Sequence, residues 1–303
     1  MPKLVTIAMP IYNRPIEMIK AIDSVLGQSY SNFELIISND NSPNPEIDKI
    51  IKIYVEKDTR IKYFSQKSNL KTVANYNFVL NEAQGEYFMW LADDDWIDKD
   101  FVEKCFNFLE NNLDFSICSG VCVYQDFGVV INRNTSISST SSNKYLRSVG
   151  YYYNVSLNGY MYGLIRKNLL DQIDFFDEVG FDWEIVGSLF FMGKIKILET
   201  TSHYISKGGV SNHLSTLSNQ FGKSNSIFKN FIGITTSLNC SNYILKSKSY
   251  NVNSLAKITL ALIVFISSYI NVIGWDLLKL KRKIVIFLRI NKNGVIFNSD
   301  KNI

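Results

Sequence analysis

Histidine and cysteine are scarce in this chain, at two and four of 303 residues. Cys105, Cys118, Cys122 and Cys240 form neither a C-x-x-C pair nor a paired zinc-ligand spacing, so zinc-ribbon and dithiol-redox classes are excluded. Reduced, buried thiols in a cytosolic protein are the expected state. His203 and His213 could help bind phosphate or metal, but scattered histidines more often serve structure. Glycine is missing from the loop after the first strand-like segment, which excludes the G-x-G-x-x-G dinucleotide fingerprint. A P-loop is absent too, because Gly187 and Gly193-Lys194 are one residue too far apart and Ile195 follows them. The glycine-rich opening of sugar nucleotidyltransferases is also missing. A net charge of +4 makes no case for nucleic acid as a partner. Met1 runs almost directly into Leu4-Val5-Thr6-Ile7-Ala8-Met9 without the charged-then-apolar layout of a signal peptide, so a cytoplasmic location is expected.

What is present is ordinary for a folded enzyme, with 46% hydrophobic and 20% charged residues. Residues 4–9, 33–38, 61–65 and 87–92 read as strands. They alternate with helical patterns near 17–27, 46–55 and 72–83, where apolar residues such as Met18, Ile19, Ile22, Val25 and Leu26 recur at helical spacing. This alternation predicts an α/β fold with a mostly parallel sheet covered by helices on both faces. Ligands of such sheets bind outside the carboxyl ends of the strands, at a switch in strand order. Polar clusters fall at three of those ends: Pro10 to Arg14, Asn39 to Ser42, and Asp93 to Asp95.

The third cluster carries the sharpest chemistry. Asp93, Asp94 and Asp95 follow the apolar run Tyr87-Phe88-Met89-Trp90-Leu91-Ala92 without a break. Like charges about 4 Å apart repel by roughly 4 kcal/mol at an effective dielectric near 20, so the run needs protonation, a cation or open water. Mg²⁺ commonly shares one or two carboxylates with substrate phosphates. A solvated turn with an aspartate N-cap before a helix over residues 99–110 is the plainer reading. In the first loop, Tyr12 and Arg14 could stack on a base and approach a diphosphate, or simply form a turn closed by Pro15. Asp40 could accept an N–H from a base, or cap a turn. Asn69, Asn75 and Asn77 flank the start of the third helix and are equally open.

Further along, residues 132–143 are rich in Ser, Thr and Asn and read as a mobile loop. Residues 258–275 are uncharged. This stretch is compatible with a buried helix, an interfacial helix or a membrane span. Lys279, Lys281, Arg282, Lys283, Arg289 and Lys292 follow it and favour an interfacial helix on an anionic lipid surface.

Taken together, these segments resemble the family 2 glycosyltransferases, which have the GT-A fold. Thr6-Ile7-Ala8-Met9-Pro10-Ile11-Tyr12-Asn13-Arg14 looks like that family's first strand and loop. Ser24-Val25-Leu26-Gly27-Gln28-Ser29-Tyr30 resembles its S-x-x-x-Q-(S/T)-(Y/F) signature. Phe33 to Ser42 is similar to its base-binding strand and loop, and Leu91 to Trp96 to its D-x-D region. The likeness is dense over residues 3–125 and thinner over 155–212.

The resemblance implies a nucleotide-sugar donor held by Pro10, Tyr12, Asn13, Arg14, Asp40, Asn69, Asn75, Asp93 and Asp95. Asp40 would recognise the base, and Asp94 would hold Mg²⁺ or Mn²⁺ on the diphosphate. It departs from the family pattern at Asn39, at Ala92, at Asn75 and at Lys71, which stands where a glycine is usual. Residues 159–167 and 176–184 look like the acceptor-side elements, with Asp182 matching the general base and Glu184 as its rival. The implied organisation is a GT-A catalytic domain over residues 1–215, split into a donor half (1–125) and an acceptor half (126–215). A helical, basic region over residues 216–303 would follow it, in peripheral contact with the inner face of the membrane. The expected activity is inverting transfer of a sugar to a glycan or lipid-linked glycan in bacterial surface polysaccharide synthesis. Metal-dependent nucleotidyl or phosphoryl transfer, or non-catalytic glycan binding, are the alternatives.

Overall fold

The apolar run Val5-Thr6-Ile7-Ala8-Met9-Pro10-Ile11 is buried at every position. A strand covered on both faces needs such continuous burial, which places it in the interior of a sheet. The structure, a computed structural model, describes residues 3–126, 129–134, 137–155, 158–206 and 231–293. Its first half runs β1 (Val5–Ile11), α1 (Glu17–Leu26), β2 (Phe33–Asn39), α2 (Glu46–Lys57), β3 (Ile61–Ser65), α3 (Thr72–Asn81) and β4 (Tyr87–Trp90). β1 lies between β2 and β4 and is parallel to both, with β3 parallel to β2 on the outside. The chain builds outward from β1 to β3, then returns to β1's other side with β4. That reversal is the switch point, and it opens a crevice at the carboxyl ends of β1 and β4.

The second half runs β5 (Trp96–Ile97), α4 (Phe101–Asn111), β6 (Phe115–Asp126), β7 (Val129–Asn134), α5 (Lys144–Asn154), β8 (Leu164–Arg166), α6 (Lys167–Leu170), α7 (Phe181–Met192) and β9 (Lys194–Ser206). The sheet continues from β4 through β8, β6 and β9 to β5, with β7 paired to β6. Here the strands are mixed. β9 is parallel to β6, whereas β8, β7 and β5 join antiparallel. The polar stretch expected to be a loop from residue 132 is strand as far as Asn134, with Asn132 opposite Tyr124 and Asn134 opposite Cys122. Ser139 then bridges to Ile195. An edge ladder is built from backbone groups, so Ser, Thr and Asn can occupy it without an apolar face.

Side-chain alternation along the strands divides the interior in two. Ile7, Met9, Met89 and Leu91 face the layer of α1, α2 and α4. Ala8, Phe88 and Trp90 face the opposite layer, which holds α5 and α7 and two further helices, α8 (Ile232–Lys246) and α9 (Ser254–Asn293). Tyr243 and Ile244 of α8, and Leu260, Val264 and Val272 of α9, lie in that same core. The expected boundary at residue 215 falls outside the described residues.

α9, which holds the uncharged stretch, is two-faced. Leu260, Ala261, Val264 and Val272 are buried, while Leu255, Ile258, Leu262, Ile266, Ile270, Ile273 and Leu277 are exposed. Ser254–Gly274 is long and apolar enough to cross a membrane by length and composition. The buried Asp276 beyond it caps α8, accepting hydrogen bonds from the Gly233 N–H at 3.0 Å and the Ile234 N–H at 2.9 Å. A carboxylate at a helix N-terminus satisfies orphan donors and suits the helix dipole.

Candidate active site

The crevice between β1 and β4 gathers most of the expected donor-side residues. After β1 the chain turns at Asn13, whose φ of 57° lies in the left-handed region that asparagine tolerates. The Asn13 N–H donates to Ser42 Oγ at 2.9 Å, joining the first loop to the second. Tyr12 projects its ring into solvent, half exposed at 49%. Its backbone N–H donates to Asp93 Oδ2 at 2.9 Å. Arg14 reaches further and places Nη1 2.8 Å from both Asp93 Oδ1 and Asp94 Oδ2.

All three acids are buried, at 5%, 8% and 2% exposure for Asp93, Asp94 and Asp95. Burial raises the Asp93 carboxyl above its usual value, against the opposing pull of Arg14 and the Tyr12 N–H. Burial and then the neighbouring Asp95 push the Asp94 carboxyl up to about 7, again against Arg14. Asp95 is engaged on the other side. Its Oδ1 accepts the Ser206 N–H at 3.0 Å, and its Oδ2 lies 3.2 Å from Nε2 of the fully buried His203 in β9. Burial disfavours the His203 cation, but Asp95 and then Cys122 outweigh it and carry the imidazole up to about 9. His203 thus has a direct electrostatic partner in the acid run, which its isolated place in the sequence does not reveal. His213 lies outside the described residues.

A hard cation fits this cluster through its chemistry: three buried carboxylates face two counter-charges, and Asp94 is the one whose neutralisation is least complete. Among the described residues no group of three or more His, Cys, Asp or Glu side chains is arranged to hold a metal ion. A Mg²⁺ or Mn²⁺ ion at Asp94 would have to take most of its ligands from phosphate oxygens and water.

The second loop is held by Asn39. Its Nδ2 donates to Asp48 Oδ1 at 2.8 Å, and its Oδ1 accepts the Ser42 N–H at 3.1 Å. An aspartate at 39 would face Asp48 with a second carboxylate, so the amide suits this local arrangement. Asp40 is buried and accepts backbone N–H bonds from Leu70 at 2.6 Å and Lys71 at 3.1 Å. Burial raises its carboxyl above the usual value and these two N–H groups oppose the rise. Asn69 is exposed, and its Oδ1 closes the same turn onto the Lys71 N–H at 3.0 Å. Asn75 does not open onto the crevice. It is 3% exposed, and its amide spends both ends on Ser38, accepting from Oγ at 2.6 Å and donating to the carbonyl at 3.2 Å.

Asp182 lies in the second half of the chain, in α7. Gly180, at φ 96°, turns the chain into α7 and is its N-cap, so Asp182 stands within the first helical turn and not at the cap. It is partly exposed and accepts from Asn158 Nδ2 at 3.0 Å. Burial raises its carboxyl above the usual value, and Asn158 opposes the rise. Glu184 is 1% exposed, and burial followed by the nearby Glu178 raises it well above its usual value. That enclosed position separates Glu184 from its rival.

An aromatic layer links Asp182's turn to the acid run. The Tyr76 ring lies 6.1 Å from Trp90 and 5.9 Å from Phe181, the residue before Asp182. The Tyr76 hydroxyl also bonds to Tyr162, whose ring stands 5.1 Å from His203.

Comparison with known proteins decides the family. The sequence model described as Glycosyl transferase family 2 matches residues 6–174, more than half of the chain. The chain belongs to this family. A glycosyltransferase of Haemophilus influenzae, named as uncharacterized, is 40% identical over 109 residues, covering 36% of this chain and 43% of that protein. The putative glycosyltransferase EpsE of Bacillus subtilis is 34% identical over 127 residues, covering 41% and 45%. The matched stretch thus spans less than half of either relative. Among solved structures, residues 1–349 of TarS from S. aureus superpose with a TM-score of 0.63 at 15% identity, covering 88% of this chain and 71% of that one. The shared architecture is the GT-A fold, here with C-terminal helices.

Lys71, which stands where this family usually has glycine, adopts φ 73° and ψ 167°. That region is essentially restricted to glycine and costs about 1–3 kcal/mol for other residues. Glycine would remove this strain at a cost of roughly 0.5–1 kcal/mol in chain entropy. Lys71→Gly is therefore expected to raise stability by about 1 kcal/mol, read from the urea midpoint. A lower midpoint would show that the backbone at 71 is not strained.

Proposed function

We propose that this chain is an inverting glycosyltransferase that moves a sugar from a nucleotide-sugar to a glycan or lipid-linked glycan. The observation that carries the reading is the meeting of Arg14 with the buried acid run at the carboxyl ends of β1 and β4, beside the loop that holds Asp40; the role of Asp182 rests on the family resemblance. TarS has been solved with UDP and with UDP-GlcNAc, which supports a nucleoside diphosphate donor for this fold. The part in surface polysaccharide assembly rests on family analogy.

In this reading Asp40 and its clamped loop receive the base, and Tyr12 offers an exposed ring face beside it. Pro10 and Asn13 shape the first loop, and Asn69 closes the loop that clamps Asp40. Asn75 acts from behind through Ser38. A Mg²⁺ or Mn²⁺ ion held by Asp94 would supply charge neutralisation on the departing diphosphate. Asp93 and Asp95, engaged with Arg14 and His203, keep Asp94 in place. Asp182 accepts the acceptor's hydroxyl proton while that oxygen attacks the anomeric carbon. The bond to the diphosphate breaks on the opposite face, so the configuration inverts. A carboxylate is needed for this step, and its rate falls as pH drops through the Asp182 pKa.

Two substitutions separate the roles. Asp94→Asn loses most of its affinity for a hard cation while relieving repulsion among buried acids. It is expected to nearly abolish transfer without lowering Tm, and activity within a few-fold of wild type at saturating Mn²⁺ rules out this assignment. Asp182→Asn is expected to lower turnover by about 10²-fold or more, since general-base catalysis contributes roughly 10²–10⁴. Binding of the nucleoside diphosphate should survive that change. Greater damage from Glu184→Gln would transfer the role to Glu184.

The same reading places the enzyme in the cytoplasm, peripherally at the inner face of the membrane. The exposed stripe on α9 recurs every three or four residues, as a straight helix lying on a flat surface requires. The helix continues to Asn293 through the six basic residues between Lys279 and Lys292. Each would add about 1 kcal/mol near anionic lipid. Because α9 also packs the core, exposed positions must be altered instead of deleting the helix. The full chain should co-sediment with phosphatidylserine vesicles at low salt and less at high salt, and Ile266→Asp with Ile270→Asp should weaken binding at least tenfold. Absence of binding at low salt removes the membrane reading.

A further inference from the structure

The acceptor-side carboxylate is held by a group that the family motifs do not include. Asn158 Nδ2 donates to Asp182 Oδ2 at 3.0 Å, and Asn158 Oδ1 accepts from the Tyr151 hydroxyl at 3.0 Å. The two bonds define which way the amide faces, because a carboxylate can only accept and the tyrosine hydroxyl supplies the proton at the other end. Tyr151 is itself fixed. It is 3% exposed in α5, with its ring 4.7 Å from Phe190 and 5.2 Å from Tyr152. The end of α5 is tied to α9, since Asn271 Nδ2 donates to the carbonyls of Tyr152 at 3.2 Å and Val155 at 2.5 Å. Asn158 also begins the short turn of Gly159–Tyr162 that leads into β8, with its carbonyl accepting the Met161 N–H at 3.1 Å.

We propose that Asn158, oriented by Tyr151, is the positioning residue of the acceptor-side base: it binds Oδ2 of Asp182 and leaves Oδ1 to take the acceptor proton. This rests on the reading of Asp182 as that base. A base on a helix turn can rotate about its side-chain torsions, and one oxygen pinned by a rigid donor removes that freedom. The same N–H favours the ionised form, which a base requires and which burial opposes. Other titratable groups face Asp182 too: Glu184 on its own helix, Tyr151 from α5 and Cys240 from α8, with Glu178 and Lys246 beyond Glu184. The side-chain donor to the Asp182 carboxylate is Asn158, which acts beside the backbone N–H groups of Asp182 and Trp183 at the start of α7.

The test is a carboxyl-¹³C NMR titration of the full chain labelled at aspartate, with the Asp182 signal identified by its loss in Asp182→Asn. Asn158→Ala should move the Asp182 titration to higher pH by about one unit, and the acid limb of turnover with the nucleotide-sugar UDP-GlcNAc should move with it. The KM for that donor should stay unchanged, because Asn158 lies on the acceptor side. Tyr151→Phe keeps the ring and frees the amide, so it should give a smaller shift in the same direction. An unmoved Asp182 titration in folded Asn158→Ala overturns the proposal. If Asn158→Ala does not fold, an unmoved titration in Tyr151→Phe does so instead. Full turnover by Asp182→Asn would instead overturn the base reading itself.

Discussion

Everything at the carboxyl end of β4 depends on how three adjacent carboxylates are kept out of water. Asp93, Asp94 and Asp95 leave β4 at the switch point, where the sheet opens and the flanking helices close over its sides. Unpaired, they would repel one another and their burial would be costly. The structure answers from two directions. Arg14, delivered by the loop after β1, sits on Asp93 and Asp94, and His203, delivered by β9, sits on Asp95. The first and the last described strands of the sheet are therefore tied to the same short turn. The compensation is incomplete at Asp94, where burial and Asp95 still push the carboxyl up to about 7.

The turn into α7 follows a different logic. Asp182 is placed by a glycine turn into α7, and its carboxylate is addressed by an amide that belongs to a separate segment. Between this turn and the acid run lies the aromatic layer of Trp90, Tyr76, Phe181 and Tyr162. The C-terminal helices support this half from behind: Tyr243 and Ile244 of α8, and Leu260 and Val264 of α9, fill the core under α5 and α7. Removing them would disturb the elements that carry Asn158 and Asp182.

Several local departures from the family pattern acquire physical reasons once neighbours are known. Asn39 is an amide because Asp48 stands opposite it. Lys71 occupies a backbone region suited to glycine, and its N–H still serves Asp40. Asn75 belongs to the interior of the second loop through Ser38. None of these could be read from residue type alone, since each depends on a partner at least nine positions away, or on a backbone angle.

The sequence by itself determined the alternation of strands and helices, the three polar clusters at strand ends and the family motifs, because these depend on short-range periodicity and on residues adjacent in the chain. It also marked Asp40, Asp94 and Asp182, whose neighbours in sequence carry the resemblance. Tertiary structure alone decided the mixed half of the sheet, where polar residues such as Asn132 and Asn134 pair by backbone bonds that leave no hydrophobic pattern. It decided the two faces of α9, since an apolar helix reads alike from every side until one side finds a partner. And it decided the pairing of His203 with Asp95, which are 108 positions apart, because a buried charge chooses its partner by distance in space.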